Sequence, residues 1–467
     1  MGHSLSSSDG RPRVPCPMCG AMVVQGARKC RACRGWMVEG ARSSTGRPRR
    51  SLMLLGAAVT AVAAVLIAQR TPVGEAPPLT ALSTASASAA ASAAPLPAGE
   101  TPSAASSAPV PPADTKAWKT RTLRLEAHPL DVVFAPDGRT LYVSADDSTV
   151  RQFDVASGRL MRRVNVAIQG ERLRLLHGRY LALIRQYSLH VPIVDTQHME
   201  SEPMLLPVGA GPTDIVALAD GHTAVAASTV AKRLGWFDLA TGAHLGDIKL
   251  AHETESLFLV AADGRSFIGA MGVMQRGGRP VGAWLDLFDP AETPFGATRR
   301  SIKVGRDPRA GSVSADRSSI LFADAATNQL NLLRVDAATA MRSADVDQGP
   351  VGAFLLEGDR FGVTINAEAR TATVVDLESM KRVRSLMLNG TPNSTATSPD
   401  GRLLLVSLGG TSWPPVGQGL VVIAGDPPAI EAALDTDRGA SNIAIAPDSR
   451  HAAVANYYDR SLTLLER

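Results

Sequence analysis

At 467 residues, 45% apolar and 20% charged, the chain has the composition of a folded protein, and its C-terminal segment of about 350 residues can bury a large core. The net charge of +4 averages unlike regions: ten Lys/Arg against Asp9 and Glu39 precede residue 51, while 37 basic face 42 acidic residues beyond Arg70. The large part is thus net acidic, which argues against a nucleic-acid ligand, and it holds none of the four cysteines, which excludes disulfides within it.

Residues 1–13 are expected to be disordered. The first motif follows: Cys16-Pro-Met-Cys19-Gly, then Lys29-Cys30-Arg-Ala-Cys33, a C-x2-C-x10-C-x2-C spacing. Each pair makes a tight turn that aims two thiolates at one point, and two such turns supply a tetrahedral all-sulfur site suited to Zn(2+). Four thiolates close the coordination shell, so the zinc expected on Cys16, Cys19, Cys30 and Cys33 is structural. Disulfides or a redox C-x2-C are the alternative, and the cytosolic placement derived below counts against persistent disulfides. Through Trp36 the segment 14–38 resembles the short bacterial zinc ribbons written CPxCG…KCxxC…W, although Arg34 stands where that pattern carries glycine. The resemblance implies a small docking module, whose partner would be a cytosolic protein.

A basic segment, 39–51, leads to 52–69, which carries no charge over 18 positions. At ~1.5 Å per residue this stretch spans roughly 27 Å, close to the ~30 Å hydrocarbon core of a bilayer. A buried core helix should show a polar stripe, and a cleaved signal peptide a shorter apolar stretch behind a short head. One uncleaved transmembrane signal-anchor is therefore expected. Arg42, Arg47, Arg49 and Arg50 precede it and only Arg70 follows closely, which places the N-terminus in the cytosol. Gly56, Thr60, Ala64 and Ala68 form a small-residue stripe that could pair two helices as a homodimer, though Ala-rich spans produce such stripes by chance. Residues 70–116 form an Ala/Pro/Ser-rich linker without aromatic residues. Its 45 central residues would span roughly 140 Å as polyproline II and about 40 Å as a coil, a spacer in either form.

From 117 to 467 the dominant signal is self-similarity. Leu130-Asp-Val-Val-Phe-Ala-Pro-Asp-Gly138, Thr140-Leu-Tyr-Val-Ser144, Thr149-Val-Arg-Gln-Phe-Asp154 and Gly158-Arg-Leu-Met-Arg-Arg-Val164 read as four strands separated by turns. The first turn recurs at Gly178, Asp220-Gly221, Asp263-Gly264, Asp316-Arg317, Gly358-Asp359, Asp400-Gly401 and Asp448-Ser449, with long steps of 53 and 48 residues before Asp316 and Asp448. The third strand's ending recurs as Phe237-Asp238, Phe288-Asp289, Val335-Asp336 and Val375-Asp376. Four strands every ~40–45 residues mark an all-β fold, a β-propeller. Eight four-stranded blades are expected, or seven if the poorly marked second unit is irregular. The last unit stops after three strands, and Thr120-Arg-Thr-Leu-Arg-Leu125 is predicted to supply the fourth and close the ring.

The clearest copies, Thr140 to Asp154 and Ala453-Val-Ala-Asn-Tyr-Tyr-Asp-Arg-Ser-Leu-Thr-Leu-Leu465, resemble the YVTN-type bacterial β-propeller repeat, with its Tyr and Asn degraded in most units. That resemblance implies the fold and leaves function open, because propellers host binding proteins and several enzyme classes. The apolar segment and its flanking charges place the chain in a bacterial inner membrane, with the propeller on the periplasmic or extracellular side.

No C-x-x-C-H occurs, and no Gly-rich phosphate loop opens a helix. The propeller histidines show no metal-ligand spacing and are read as surface or loop residues, and the repeated turn aspartates as turn-formers. Two long insertions stand out: Gly272-Val-Met-Gln-Arg-Gly-Gly-Arg-Pro280, in the fourth unit, and Gly409-Gly-Thr-Ser-Trp-Pro-Pro-Val-Gly-Gln-Gly419, in the seventh. Both fall between second and third strands and are expected as long loops on one face, where binding residues concentrate. Trp413 is the candidate aromatic anchor, and Arg276 and Arg279 could engage an anionic group.

The reading is of a non-enzymatic binding or scaffolding protein whose propeller face takes a protein, peptide or envelope component. The alternative is an extracytoplasmic enzyme, lactonase-like or a cofactor-dependent oxidoreductase, with its site at the channel mouth. It would need several ionisable side chains converging there, and no such set is apparent in the sequence.

Overall fold

The computed structural model describes residues 13–15, 22–24 and 117–467, apart from 263, 277–278, 291–297 and 336–340. The chain divides into two compact units, Met1–Leu55 and Gly56–Arg467. In the first, Arg13–Pro15 pairs antiparallel with Met22–Val24. The four cysteines, the apolar stretch 52–69 and the linker lie outside the described residues, among which no helix is long and apolar enough to cross a membrane.

The second unit is built from repeated four-stranded antiparallel sheets. The first holds Pro129–Phe134, Thr140–Ala145, Thr149–Asp154 and Leu160–Asn165 side by side. Its first three strands are buried at nearly every position and the fourth is exposed, so the sheet runs from the centre of the molecule to its rim. The order repeats, with first strands at Arg172–Leu176, Pro212–Ala217, Glu253–Ala262, Pro308–Val313, Pro350–Leu356, Thr395–Thr397 and Ala440–Ile445. One parallel bridge, Ala310 to Gly352, joins the fifth group to the sixth. The final group has only three strands of its own. Lys119–Arg124 completes it, with Lys119 opposite Glu466 and Arg124 opposite Ser461.

The turn aspartates act as local caps. Asp137 Oδ1 accepts the N–H groups of Arg139 and Thr140 at 2.8 and 2.9 Å, and Asp220, Asp316, Asp400 and Asp448 bond their own turns likewise. They form no carboxylate ring. The core lies between sheets: Phe258 and Leu285 of the fourth group pack on Phe322 and Leu333 of the fifth. Val132, Phe134 and Leu141 of the first group pack on Ala453, Ala455 and Leu462 of the last, which closes the ring. Burying each such Leu or Phe contributes about 1.5–3 kcal/mol.

The insertion at 272–280 differs from expectation. It is not a loop: the second and third strands of the fourth group lengthen to Arg265–Arg276 and Arg279–Phe288 and stay paired to their ends. Backbone N–H and C=O groups there satisfy one another, which an open loop would leave to solvent. The innermost strand's pairing ends at Glu253 opposite Val273, so 274–276 and 279–282 project past the sheet as a paired two-stranded ribbon.

Candidate functional site

Antiparallel order puts the second-to-third and fourth-to-first connections at one end of the ring. Contacts between them bear this out: Gln169 Nε2 donates to the Asp146 carbonyl, and Gly439 N to the Gly417 carbonyl at 2.7 Å. Trp413 stands at this end, in the connection between Leu403–Ser407 and Leu420–Ala424. Gly409 anchors that loop, its carbonyl accepting the N–H groups of Val416 and Gly417 at 3.1 and 2.9 Å. A side chain at Gly409 would put its Cβ 1.8 Å from the Ala440 carbonyl oxygen, so only glycine fits. Asn393 Nδ2, from the preceding fourth-to-first connection, binds the Gly410 carbonyl at 2.6 Å.

Trp413, half-buried, meets Tyr457 of the last group at 4.9 Å between ring centroids, tilted 53°. Tyr457 in turn stacks on His128 at 4.7 Å and 24°. His128 Nδ1 lies 2.7 Å from the Tyr457 carbonyl and its Nε2 accepts from Arg460 Nε at 3.1 Å, which places the ring proton on Nδ1. Burial raises the Tyr457 phenol's pKa, and the nearby Asp146 carboxylate adds to the shift. Beside the stack, Arg438 caps Tyr458 at 5.1 Å from the ring centroid and pairs with Asp459 at 3.0 Å. The backbone N–H of Arg438 and its guanidinium together hold the Asp459 carboxyl below its usual range.

Exposed large apolar side chains are distributed unevenly. Every one among the described residues lies either on an outermost strand or at this end of the ring. At this end are Tyr187 and Leu189, Val230, Val281, Val416 and Tyr458, from five different groups. The opposite end's turns, occupied by the capping aspartates, carry none. Arg276 and Arg279 face each other across the ribbon tip by backbone pairing, and only their backbone is described. They share the ring end with Trp413 but not its locality. The fifth and sixth groups, with short connections at 325–328 and 367–370, lie between.

A second constellation lines the inside of the ring, and it corrects the sequence reading that no ionisable groups converge there. Asp131 and Asp214, on the first strands of the first and third groups, each reach the next group's first strand: Asp131 Oδ2 accepts from Leu173 N at 2.7 Å, and Asp214 Oδ2 from Leu257 N at 3.1 Å. Between them stand Arg172, which donates to the Thr213 carbonyl at 2.8 Å, and Arg174, whose Nε lies 3.4 Å from Asp214 Oδ1. Burial pushes Asp131 up to about 6 and Arg172 down to about 10, and Arg174 adds repulsion on Arg172. Glu171 is pushed up to about 7 by burial, with Arg185 Nε 3.6 Å away partly offsetting this. The signal for this cluster was the pair Arg172 and Arg174 at alternate positions of a strand otherwise apolar. It lies in the second group, where the repeat is weakest.

Of the histidines read as surface or loop residues, His252 lies in a connecting loop but is buried, with Nε2 3.1 Å from Asp286 Oδ2, while Ser301 Oγ donates to Asp286 Oδ1 at 2.6 Å. Enclosed in this way, the trio fastens one sheet, as Asn456 does when it donates to Ser461 and Thr463 in the last group. Among the described residues no three His, Cys, Asp or Glu side chains are grouped to hold a metal ion.

No protein-family model matches this chain, and no curated protein does. Solved structures do match it in fold. The chain is similar to a Kuenenia stuttgartiensis hydrazine synthase, at 18% identity and a TM-score of 0.50, over 74% of this chain and 97% of that one. It is also similar to the C-terminal WD40 domain of Sif2, at 11% identity and a TM-score of 0.58, over 74% of this chain and 98% of that one. At such identities the likeness speaks to fold alone: an all-β, WD40-like propeller of repeated four-stranded sheets.

Proposed function

We propose that this chain is a membrane-tethered binding or scaffolding protein: an eight-bladed propeller of YVTN type, docking a protein, peptide or envelope component on the end that carries Trp413. The observation that carries this reading is that, among the described residues, only this end of the ring, and not the opposite one, bears exposed large apolar groups, and the Trp413–Tyr457–His128 stack stands on it. Large apolar groups left in water on one face of a scaffold are candidates for an interaction surface, and tryptophan and tyrosine are the usual anchors. The WD40-like fold supports a binding scaffold coarsely. Arg276 and Arg279 would extend the contact to an anionic group.

The remaining parts of the reading rest on sequence. Residues 52–69 would span a bacterial inner membrane with the N-terminus cytosolic and the propeller outside. Cys16, Cys19, Cys30 and Cys33 would hold structural zinc, a reading that rests on their C-x2-C-x10-C-x2-C spacing. The ribbon would engage a cytosolic protein, and the helix could pair two copies.

A catalytic reading has one observation in its favour, the Asp131–Arg172–Arg174–Asp214 cluster. Both carboxylates, however, are committed to backbone N–H groups of the next group, which leaves neither free as a base. The test of docking is capture by the full-length protein compared with its Trp413→Ala and Tyr458→Ala variants. Partners retained by the wild type and lost from both folded variants support the reading. Partners bound equally by all three contradict it.

A further inference from the structure

The chain has eight asparagines, all among the described residues, and two features set Asn389 apart from the rest. It alone is followed by glycine. It is also exposed, in the bend that leads from the outermost strand of the sixth group, Lys381–Met387, towards Thr395–Thr397 of the seventh. Among the described residues neither its side-chain amide nor the N–H of Gly390 has a hydrogen-bond partner. The side chains of Asn328, Asn331, Asn366, Asn393, Asn442 and Asn456 are all engaged in hydrogen bonds. Asn165 is exposed too, but the N–H that follows it, on Val166, donates to the Ser148 carbonyl at 2.9 Å. After Asn393, the N–H of Ser394 is held by Ser407 Oγ at 3.0 Å.

We propose that Asn389–Gly390 is a site of covalent modification in the folded protein, where the asparagine deamidates through a cyclic imide. The Gly390 nitrogen attacks Cγ of the Asn389 side chain, and an N–Cγ bond forms as the Cγ–Nδ2 bond breaks. The amide proton of Gly390 leaves with the Nδ2 group as ammonia. Water then opens the imide at either carbonyl, which yields an aspartyl or an isoaspartyl linkage and one new carboxylate. The reaction takes no reagent other than water, and base speeds it by removing the amide proton. In a folded chain the attacking nitrogen must be free, and the backbone must be able to turn it onto Cγ. The bend leaves the nitrogen free here, whereas a paired strand would hold it in the ladder. Glycine supplies the turning, because no Cβ screens its nitrogen or narrows its φ and ψ. The new carboxylate arises at the ring end that carries Trp413, in the connection whose Thr391 carbonyl accepts the Gly410 N–H at 3.0 Å. The modification itself does not depend on docking.

The experiment is peptide mapping by mass spectrometry of the folded full-length protein aged in mildly alkaline buffer, beside the same protein unfolded in urea. Asn389 and Asn393 fall on one tryptic peptide, residues 385–402, so each is the other's internal control. In the folded protein, conversion at Asn389 should outrun that at Asn393 by roughly tenfold or more. It should also stay within about tenfold of its own rate in urea, since no bond of the fold restrains it. Asn389→Gln, at an exposed position, should keep the fold and remove the acidic product. Gly390→Ala should slow conversion by roughly tenfold, with folding checked by circular dichroism because its Cβ would stand 3.1 Å from that of Leu408. An Asn389 that converts in urea but stays intact in the folded protein overturns the proposal. So does earlier conversion of any other asparagine, or an unchanged rate in folded Gly390→Ala.

Discussion

Trp413 and Tyr457 are 44 residues apart and belong to successive sheets, yet their rings meet at 4.9 Å. The contact joins the longest connection at this end to the group that closes the ring. The aromatic surface therefore exists only when the last sheet is in place, which would link ring closure to the proposed docking.

Gly409 sets the position of the Trp413 loop. Gly409→Ala would drive a Cβ into the Ala440 carbonyl, which belongs to a paired strand and cannot retreat. The variant should lose about 1–3 kcal/mol in denaturant unfolding and shift its tryptophan fluorescence. Unchanged stability would mean that the loop is free to move away.

Trp118 fastens the closing strand. It is buried, donates from Nε1 to Glu431 Oε1 at 3.2 Å, and has the Arg467 guanidinium 5.8 Å from its ring centroid. Trp118→Ala should cost about 3–5 kcal/mol in denaturant unfolding, a core-sized loss from a residue next to the linker. A cost near zero would show that the closing strand contributes little.

Glu171 gives stability a pH dependence. Its folded pKa is raised from 4.5 to about 7, so between these values the unfolded chain releases a proton that the folded chain retains. Its stabilising contribution is full below the lower value and is lost as pH rises through the higher. Glu171→Gln removes this loss and should be more stable than wild type at pH 8, by up to about 3 kcal/mol relative to the same comparison at pH 4. A pH-independent difference between the two would contradict this.

The N-terminal reading is tested directly. Zinc bound per chain should disappear on joint Cys16→Ser and Cys30→Ser replacement, as measured by metal analysis of the purified protein. A reporter fused after Arg467 should be active only outside the cytosol. Retained zinc, or cytosolic reporter activity, would remove the ribbon or the anchor from the account.

The parts legible in the sequence were local. Asp137, Asp220 and Asp448 announced their turns because each bonds its own backbone within three residues. The closing strand was expected at 120–125 and lies at Lys119–Arg124, since its alternation shows in six residues. What was hidden depends on ring geometry. Tyr457 read as one more repeat residue, and nothing near it in sequence says that it meets Trp413 and His128. Arg174 and Asp214 are 40 residues apart and meet only because first strands stand side by side around a centre. The paired residues 274–276 and 279–282 were read as part of a loop because the insertion falls between second and third strands, whereas those two strands simply lengthen and pair with each other.

The most direct test of the central claim is site-specific photocross-linking of the full-length protein in its native cells. Benzoylphenylalanine would replace Tyr187, Val230, Val416 or Tyr458 at one end of the ring, and Asp137, Asp220 or Asp400 at the other. The account predicts a shared adduct from the first set, abolished by Trp413→Ala, and no such adduct from the second. Adducts that arise from the aspartate end, or that persist without Trp413, would contradict it.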